Sequence, residues 1–284
     1  MTIYPPPMHA LLDQLAAAES QIRPAVFLGM LALMSLAESL FPRRRRSLGR
    51  GSRWLANLGL VVVDTVALRL AIPVLAVAMA VIAAERGWGL FNVLDLPFWL
   101  EAVAAFLMLD CAIWAQHVAT HKVPVLWAFH KIHHADRDLD ASSGLRFHPV
   151  EILFSMGVKI GLVLAIGPAA GVVVLFELVL NAAAIFNHAN VRLPLPVDRA
   201  LRTVIVTPDF HRPHHSTIRS ETDSNYGFFL SVWDRLFRTY TKEPQGGHDD
   251  MTLGLDEYQT QAPASLFWCL IEPFRFARKP ETTA

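Results

Sequence analysis

The sequence predicts an all-α integral membrane protein with about four transmembrane or hairpin helical segments and a helical, histidine-rich cap on the cytoplasmic side. Of the 284 residues, 53% are hydrophobic and only 18% are charged, which is unusual for a soluble domain. Several apolar stretches approach or exceed the roughly 20 residues that a helix needs to cross a bilayer. Ten of the twelve histidines fall between His117 and His215.

The first two predicted spans lie on either side of an arginine run. Residues 22–40 are mostly apolar and stop just before Arg43–Arg46, as expected for a span that ends at a cytoplasmic surface. Residues 54–84 are too many for one straight crossing, and Pro73 lies near their middle. We therefore predict one long span that is kinked or tilted.

Two further apolar blocks follow. Residues 96–116 predict a third span, interrupted by Asp110 and by Glu101, which we interpret as structural. Gly167–Pro168 breaks the fourth block, residues 152–186, into two pieces that are each short for a full crossing. Either a helical hairpin that enters the bilayer and returns, or two short spans, would fit.

The basic residues predict the orientation. Cytoplasmic loops carry an excess of lysine and arginine, so Arg43–Arg46 and the Arg-rich stretch after 191 should stay inside, as should the basic residues at 122, 131, 137 and 146. Counting the spans from these positions places every histidine box on the cytoplasmic face, at or just outside the membrane boundary.

We divide the chain into an N-terminal segment 1–21, membrane helices with the first histidine boxes at 22–190, and a cytoplasmic cap and tail at 191–284. One catalytic unit is expected at about 104–240. The N-terminal residues lack the pattern of a cleavable signal. Cys111 and Cys269 are too few for a disulfide framework. The formal net charge of zero gives no reason to expect nucleic acid as a partner.

Three histidine boxes indicate metal binding. Residues three and four apart share one face of a helix, so each box can offer two or three imidazoles to one centre. The boxes are His117 with His121, then His130, His133 and His134, then His211, His214 and His215. His148 and His188 lie in short polar segments at the two ends of the fourth block, and we assign both as further ligands, with helix capping or hydrogen bonding as the alternative. His9 and His248 stand apart and are read as ordinary surface or core residues.

The number of imidazoles favours two metal ions. Ten histidines divide into about five for each ion, which leaves roughly one position open on an octahedral ion. Structural zinc usually takes four ligands and often uses cysteine, whereas a zinc hydrolase needs three protein ligands and a water. Asp110 lies two helical turns before His117 and is expected to accept an N–H bond from a ligating imidazole. Alternatively, it satisfies a backbone or tryptophan group.

Residues 110–240 resemble the fatty acid hydroxylase and sterol desaturase superfamily of membrane di-iron oxygenases. The order and spacing of the motifs carry this resemblance: Asp110 with Trp114, the HxxxH box, Leu126–Trp127 before the first HxxHH box, Arg146–Glu151, Asn187–Asn190, Thr207–Pro208 before the second HxxHH box, Asn225–Gly227 and Trp233–Phe237.

The resemblance implies two iron ions held in a cytoplasmic cap, and a lipid chain that enters from the bilayer. By motif match the ligands are His117, His121, His130, His133, His134, His188, His211, His214 and His215, while His148 matches an HPxE element. Zinc can replace iron in purified protein. Asn225, Tyr226, Trp233 and Asp234 match residues of the cap fold, and we do not call them catalytic.

The implied reaction uses O2 and external electrons to hydroxylate or desaturate a C–H bond of a lipid. The substrate can be sterol-like, fatty acyl, carotenoid or alkylglycerol. The electrons would come from a separate ferredoxin or cytochrome with its reductase. Arg212, Arg219, Arg235 and Arg238 could steer this acidic donor, or could instead solvate the cap or contact anionic lipid.

Two other functions remain open at this stage. A zinc-dependent membrane lipid hydrolase would use only part of the histidine cluster and no electron donor. A non-enzymatic membrane metal carrier would need a polar path across the bilayer, yet the predicted spans contain few polar residues.

Overall fold

The computed structural model describes residues 7–277. Within this range the chain forms fourteen α-helices and short 3₁₀ turns, and it contains isolated β-bridges but no β-strand. The predicted all-α class is therefore confirmed. The first six residues of the predicted N-terminal segment lie outside the described range, and the rest of it forms α1 (Pro7–Ala17) and the start of α2.

Five helical stretches are long and apolar enough to cross a membrane, so the chain is a multi-pass membrane protein. They are α2 (Glu19–Leu40), the stretch Arg50–Asn92 that contains α3 (Arg50–Ala71) and α4 (Ala76–Arg86), α5 (Phe98–Lys122), α7 (Pro149–Ile166) and α8 (Ala170–His188). The short helix α6 (Pro124–His134) follows α5.

The second predicted span is broken rather than merely kinked. Helix α3 ends at Ala71, and Ile72 takes an extended conformation with φ −127° and ψ 96° before Pro73. Proline lacks a backbone N–H and disfavours the helical conformation in the residue before it. The chain therefore leaves the helix at Ile72 and starts α4 four residues later, next to the proline at which the sequence predicted a kinked or tilted span.

The fourth apolar block forms two separate helices joined by a turn, which agrees with both predicted alternatives, a helical hairpin and two short spans. Gly167 ends α7 with φ +62°, a left-handed conformation that glycine adopts without a steric penalty. The same turn lies against Gly89, where an added Cβ would come within 2.3 Å of the Gly167 nitrogen. Both glycines are thus needed where the two turns meet.

The histidine-bearing ends of the helices meet at one end of the bundle. An isolated antiparallel bridge joins Pro42, just after α2, to Val191, just after α8. The Arg43 N–H also donates to the Asn190 carbonyl at 2.9 Å. The ends of α2 and α8 therefore lie together, beside the arginine run and the last histidine of α8.

The buried face of α5 carries the first histidine box into the bundle. Ala102, Ala105, Leu109 and Ile113 are buried at spacings of three and four residues, and His117 continues this stripe. The packing of α5 against α7 and α8 through this stripe forms the main apolar cluster. The stripe thus orients His117 and His121 toward the other histidines.

Short helices form the cap after residue 191. In chain order these are α9 (Leu195–Leu201), α10 (Pro208–His211), α11 (Arg219–Thr222), α12 (Val232–Leu236), α13 (Gly247–Asp250) and α14 (Leu266–Ile271). Thr207 caps α10 by accepting the Phe210 N–H, and Pro208 occupies its first turn, where the missing N–H costs nothing. The N-cap at Thr207 therefore fixes where α10, which carries His211, begins.

Candidate metal centre

Nine buried histidines form two adjacent groups at the end of the helix bundle that lies beside the arginine run. In each group the ligand nitrogens lie within 4.8 Å of one another. The five-histidine group contains His117, His121, His130, His134 and His214. The four-histidine group contains His133, His188, His211 and His215.

Helical spacing explains how one box serves both groups. His130 and His134 stand one turn apart on α6 and point to the five-histidine group, whereas His133 points to the other. The last box is divided in the same way, since His214 joins the first group and its neighbour His215 joins the second. The two groups therefore share the elements that carry them.

The Nε2 atoms are spaced as ligands of a common ion would be. In the five-histidine group, His117 Nε2 lies 3.1 Å from His130 Nε2 and 3.0 Å from His214 Nε2. In the four-histidine group, His188 Nε2 lies 3.1 Å from both His133 Nε2 and His215 Nε2. Two nitrogens bound at right angles, each about 2.1 Å from one ion, are about 3.0 Å apart.

Backbone carbonyls fix which ring nitrogen carries the proton in the five-histidine group. His117 Nδ1 lies 2.7 Å from the Tyr226 carbonyl, and His214 Nδ1 lies 2.6 Å from the Ser224 carbonyl. A carbonyl can only accept, so both imidazoles donate from Nδ1 and carry a lone pair on Nε2. The two lone pairs face each other at 3.0 Å, an arrangement that a shared cation stabilises.

The four-histidine group repeats this arrangement. His188 Nδ1 donates to the Ala184 carbonyl at 2.7 Å, and His133 Nδ1 donates to the Arg146 carbonyl at 3.2 Å. Their Nε2 atoms then face each other without a proton between them. The donor set and its tautomers thus fit a metal ion in each group.

Five histidines of the two groups that lie outside the membrane-spanning helices are held neutral. Burial lowers the pKa of each well below its usual value, and neighbouring imidazoles lower the pKa further because two charged rings would repel. This holds for His133, His134, His211, His214 and His215. Neutral imidazole is the form that binds metal.

Two carboxylates contact the outer nitrogens of the five-histidine group. Glu151 Oε1 accepts from His130 Nδ1 at 2.6 Å, and Asp223 Oδ1 lies 3.3 Å from His121 Nδ1. Such contacts orient a ligating imidazole and make it more basic. Our sequence analysis assigned a role to neither residue. Glu151 lies in the quoted Arg146–Glu151 stretch, whereas no local signal indicates Asp223.

Asp110 does not contact an imidazole. Its Oδ2 accepts the Trp233 indole N–H at 2.8 Å and the Leu230 backbone N–H at 3.3 Å. Seven residues of helix separate Asp110 from His117 by about 10 Å along the axis, which is too far for a direct bond. The structure therefore supports the alternative role, in which Asp110 satisfies a tryptophan and a backbone group.

His148 joins neither group. Its Nδ1 accepts the Val150 N–H at 3.1 Å, so that it caps α7, and its Nε2 lies 3.3 Å from the Leu270 carbonyl. Its ring packs against Phe129 and Phe274. Both ring nitrogens are thus directed away from the other histidines, in the capping role that was the alternative to a ligand.

The cap-fold residues Asn225, Tyr226 and Asp234 shape the loop that contacts His117. Asp234 accepts the Tyr226 and Gly227 N–H groups at 2.9 and 2.8 Å and the Trp114 indole N–H at 3.1 Å. Asn225 takes a positive φ of 53° and donates to the Phe210 carbonyl. The loop therefore presents the Tyr226 carbonyl to His117. Trp233 instead donates its indole N–H to Asp110.

A buried ionic cluster holds the loop between α6 and α7. Arg53 donates to Asp136 at 2.6 and 2.8 Å and to Asp140 at 2.7 Å, and all three side chains are nearly inaccessible. Gly144 of this loop lies so close to α8 that an added Cβ would be 2.2 Å from the Ala184 carbonyl, the acceptor for His188. The cluster thus supports the four-histidine group from outside.

Only some of the proposed donor-steering arginines are available at the surface. Arg212 is buried and pairs with Asp209, and Arg235 lies over the Tyr240 ring while donating to Ser231. Arg219 and Arg238 are exposed. Of the two isolated histidines, His9 pairs with Asp13, whereas His248 is buried beside Arg212.

An apolar cavity of about 280 Å³ lies between α2, α8 and the cap. Met30, Ala183, Phe186 and Phe229 are among its lining residues. Ala183 and Phe186 lie on the side of α8 turned away from His188, since successive residues are about 100° apart around a helix. A chain bound in this cavity would therefore lie outside the histidine groups.

Comparison with known proteins agrees with this geometry. The family model for fatty acid hydroxylase matches residues 102–239, a range that contains all nine histidines of the two groups. No solved structure matches the chain.

The chain is similar to several curated lipid oxygenases. It is 27% identical over 156 residues to ornithine lipid hydroxylase OlsE of Rhizobium tropici, covering 55% of this chain and 46% of that protein. It is 29% identical over 164 residues to alkylglycerol monooxygenase of Homo sapiens, and 30% identical over 163 residues to that of Danio rerio. Each of these two matches covers 55% of this chain and 34% of the relative. The matches thus span less than half of each relative's length.

Proposed function

Because the chain belongs to the fatty acid hydroxylase and sterol desaturase superfamily, we propose that it is a di-iron oxygenase that hydroxylates or desaturates a C–H bond of a membrane lipid. The observation that carries this proposal is the pair of histidine groups, with five and four inward-facing Nε2 atoms. Nine imidazoles exceed the three or four ligands of a zinc site, and imidazole is a common ligand of iron.

Two iron ions in these groups would supply O2 activation and hydrogen abstraction from an unactivated C–H bond. An ion with six positions keeps one open beside five nitrogens and two open beside four. The protein's own part is to hold the imidazole rings in one tautomer and orientation, and six of the nine rings have a partner on Nδ1 for this purpose in the described structure. Backbone carbonyls, Glu151 and Asp223 do this from outside the groups.

The histidine groups are also kept dry. Each of the nine histidines is at most 3% exposed. Exclusion of water strengthens electrostatic interactions in the site and limits the loss of oxidant to side reactions. A lipid chain that reaches this end of the bundle from the bilayer would present a carbon to the groups without crossing water.

The substrate class follows from the relatives named above, which act on ornithine lipid and alkylglycerol according to their names. We propose a lipid with a polar head and a long alkyl chain. Sterol-like and carotenoid substrates also offer C–H bonds for the same hydroxylation or desaturation. The activity of the whole protein is part of the proposal, because the matches cover less than half of each relative.

We further propose that the histidine groups face the cytoplasm. They lie at the same end of the bundle as Arg43–Arg46, and positively charged loops are retained on the cytoplasmic side. The reductant would then be a cytoplasmic ferredoxin or cytochrome with its reductase.

Metal analysis and lipid analysis test the function together. Protein purified from iron-replete cells, or reconstituted with iron if zinc is bound, should contain about two irons per chain with a coupled Mössbauer signal. Cells that express it under ¹⁸O₂ should accumulate a lipid with one labelled oxygen or one additional double bond. His214→Ala should abolish this product, whereas His9→Ala, outside both groups, should not. Lipid oxidation that persists in the His214 variant would contradict the assignment.

A further inference from the structure

We propose that one surface of this protein binds an acidic one-electron carrier protein and passes its electrons through the Trp127 ring to the five-histidine group. This surface, the Trp127 patch, consists of Lys122, Val125, Trp127, Ile218, Arg219 and Asp223. The inference rests on the proposed oxygenase function, which requires a supply of electrons.

The reaction sets the number of electrons. In hydroxylation one oxygen atom of O2 enters the C–H bond, and the other leaves as water after taking up two electrons and two protons. In desaturation both oxygen atoms leave as water, because the lipid supplies two electrons and two protons and the carrier side supplies two more of each. Two reduced carriers are therefore oxidised by one electron each in every turnover.

Trp127 connects the surface to two candidate ligands. The indole is half-buried, and its centroid lies 5.0 Å from the His121 ring and 5.4 Å from the His134 ring. Both histidines belong to the five-histidine group. The indole ring thus packs directly against the rings of two candidate ligands. An electron on the indole would have to cross only this ring-to-ring contact to reach them.

The outer side of Trp127 carries positive charge. The Arg219 guanidinium lies 5.0 Å from the indole centroid, a cation–π contact. Arg219 is 57% exposed, and Lys122 is 53% exposed beside it. Both cations bind the same carboxylate, Asp223, at 3.0 and 2.9 Å. Two exposed cations for one partly buried anion leave this surface net positive.

Exposed apolar side chains lie close in sequence to the two cations. Val125 is 63% exposed three residues after Lys122, and Ile218 is 37% exposed next to Arg219. A small apolar area with charged groups around it is suited to a weak, short-lived complex whose orientation is set by charge. An acidic carrier would be attracted to it and released after transfer.

Asp223 gives a second connection between this surface and the same histidine group. Six of the nine histidines have a hydrogen-bond partner on Nδ1 in the described structure, and five of these partners belong to buried residues. The sixth is Asp223, whose side chain is 18% exposed and contacts His121. The Trp127 patch is therefore where the side chains around the ligands reach the surface.

Anionic lipid headgroups would also attract Lys122 and Arg219. Membrane anchoring, however, does not require an aromatic ring that contacts two ligands and lies beneath the exposed cation. The contacts of Trp127 with His121 and His134 thus favour a redox partner over a lipid surface.

Binding to a plant-type [2Fe–2S] ferredoxin tests the docking surface without any turnover. Full-length protein in neutral phosphatidylcholine nanodiscs should bind oxidised ferredoxin, and the affinity should fall as salt rises. Lys122→Glu combined with Arg219→Glu should weaken binding by at least about tenfold. Arg199→Glu, an exposed arginine on α9 outside the patch, is the matched control and should bind as the wild type does.

Equal ferredoxin binding by the double variant and the wild type would overturn the proposal. So would a double variant that loses affinity only for phosphatidylglycerol vesicles, because the patch would then be a membrane contact.

The path through Trp127 is tested by the rate at which iron is reduced. In iron-loaded protein saturated with reduced ferredoxin, so that docking does not limit the rate, Trp127→Leu should slow iron reduction at least about tenfold, with iron content unchanged. Trp127→Phe should retain part of the rate. Equal slowing with dithionite would show a purely structural role and overturn the path. Iron content and dithionite-driven lipid oxidation report on the oxygenase function itself, so its failure would be recognised separately.

Discussion

His130 donates its Nδ1 proton to Glu151 across 2.6 Å, and both side chains are buried. The two residues are 21 positions apart, in α6 and at the start of α7. This contact leaves His130 Nε2 free to face His117 and His134. Glu151 therefore orients a histidine of the candidate metal centre without being one of its ligands.

Removal of Glu151 should weaken metal binding. Glu151→Ala takes away the acceptor that orients His130, and loss of such a partner typically lowers metal affinity about 10–100-fold. Glu151→Gln keeps an acceptor oxygen but not the charge, so its loss should be smaller. Iron retention during titration with a chelator measures this. Glu101→Gln, in α5 but outside the histidine groups, is the control, and equal retention in Glu151→Ala would contradict the role.

His148 and His188 should respond differently to alanine. His188→Ala removes one of four nitrogens from its group and should reduce the iron content toward one ion per chain. His148→Ala removes only the cap of α7, which should cost about 0.5–2 kcal/mol of stability with both ions retained. Metal analysis and thermal unfolding of the two variants separate these effects. Loss of iron from the His148 variant would make it a ligand after all.

Asp110 should matter for folding rather than for metal binding. Asp110→Asn keeps a carbonyl oxygen for the Trp233 and Leu230 N–H groups, so that its effect should be small. Asp110→Ala leaves these donors without an acceptor and should destabilise the protein by about 1–3 kcal/mol. The midpoint of denaturation in a mild detergent tests this. A change in iron affinity without a change in stability would instead indicate coupling to the ligands.

Arg53 should be one of the most sensitive positions outside the histidines. Arg53→Met leaves Asp136 and Asp140 buried without their cation, and such a loss typically costs about 3–5 kcal/mol. The loop before α7 would loosen, and with it the Arg146 carbonyl that binds His133. We expect low yield of folded protein and protease cleavage within 135–148. Arg45→Met, from the nearby arginine run, is the control and should resist cleavage.

The histidine boxes were predictable because the spacing of their histidines matches the turn of a helix. Imidazoles three and four residues apart must share a face, whatever the rest of the fold, and the structure brings nine of the ten candidates together. The prediction that these nine bind iron awaits metal analysis. The division into groups of five and four depends on which boxes meet in the folded structure. The spacing of histidines within each box carries no information about this.

The remaining details depend on distance along the helix and on remote partners. Asp110 shares a face with His117, yet two turns of helix place it beside Trp233 instead. His148 precedes a proline at the start of α7, so its ring caps the helix. Asp223 lies 102 residues from His121, and no local pattern relates them. Contacts of this kind follow only from the packed structure.

The two histidine groups differ in when their parts are made. Four of the five histidines in the larger group, His117, His121, His130 and His134, are synthesised before α7 and α8. The smaller group has only His133 at that stage and gains the rest at residue 188 and beyond. A nascent chain can thus assemble most of one site early, whereas the other must wait until the last membrane helix has been inserted. The positions of the histidines along the chain therefore set the earliest point in synthesis at which each group can be complete.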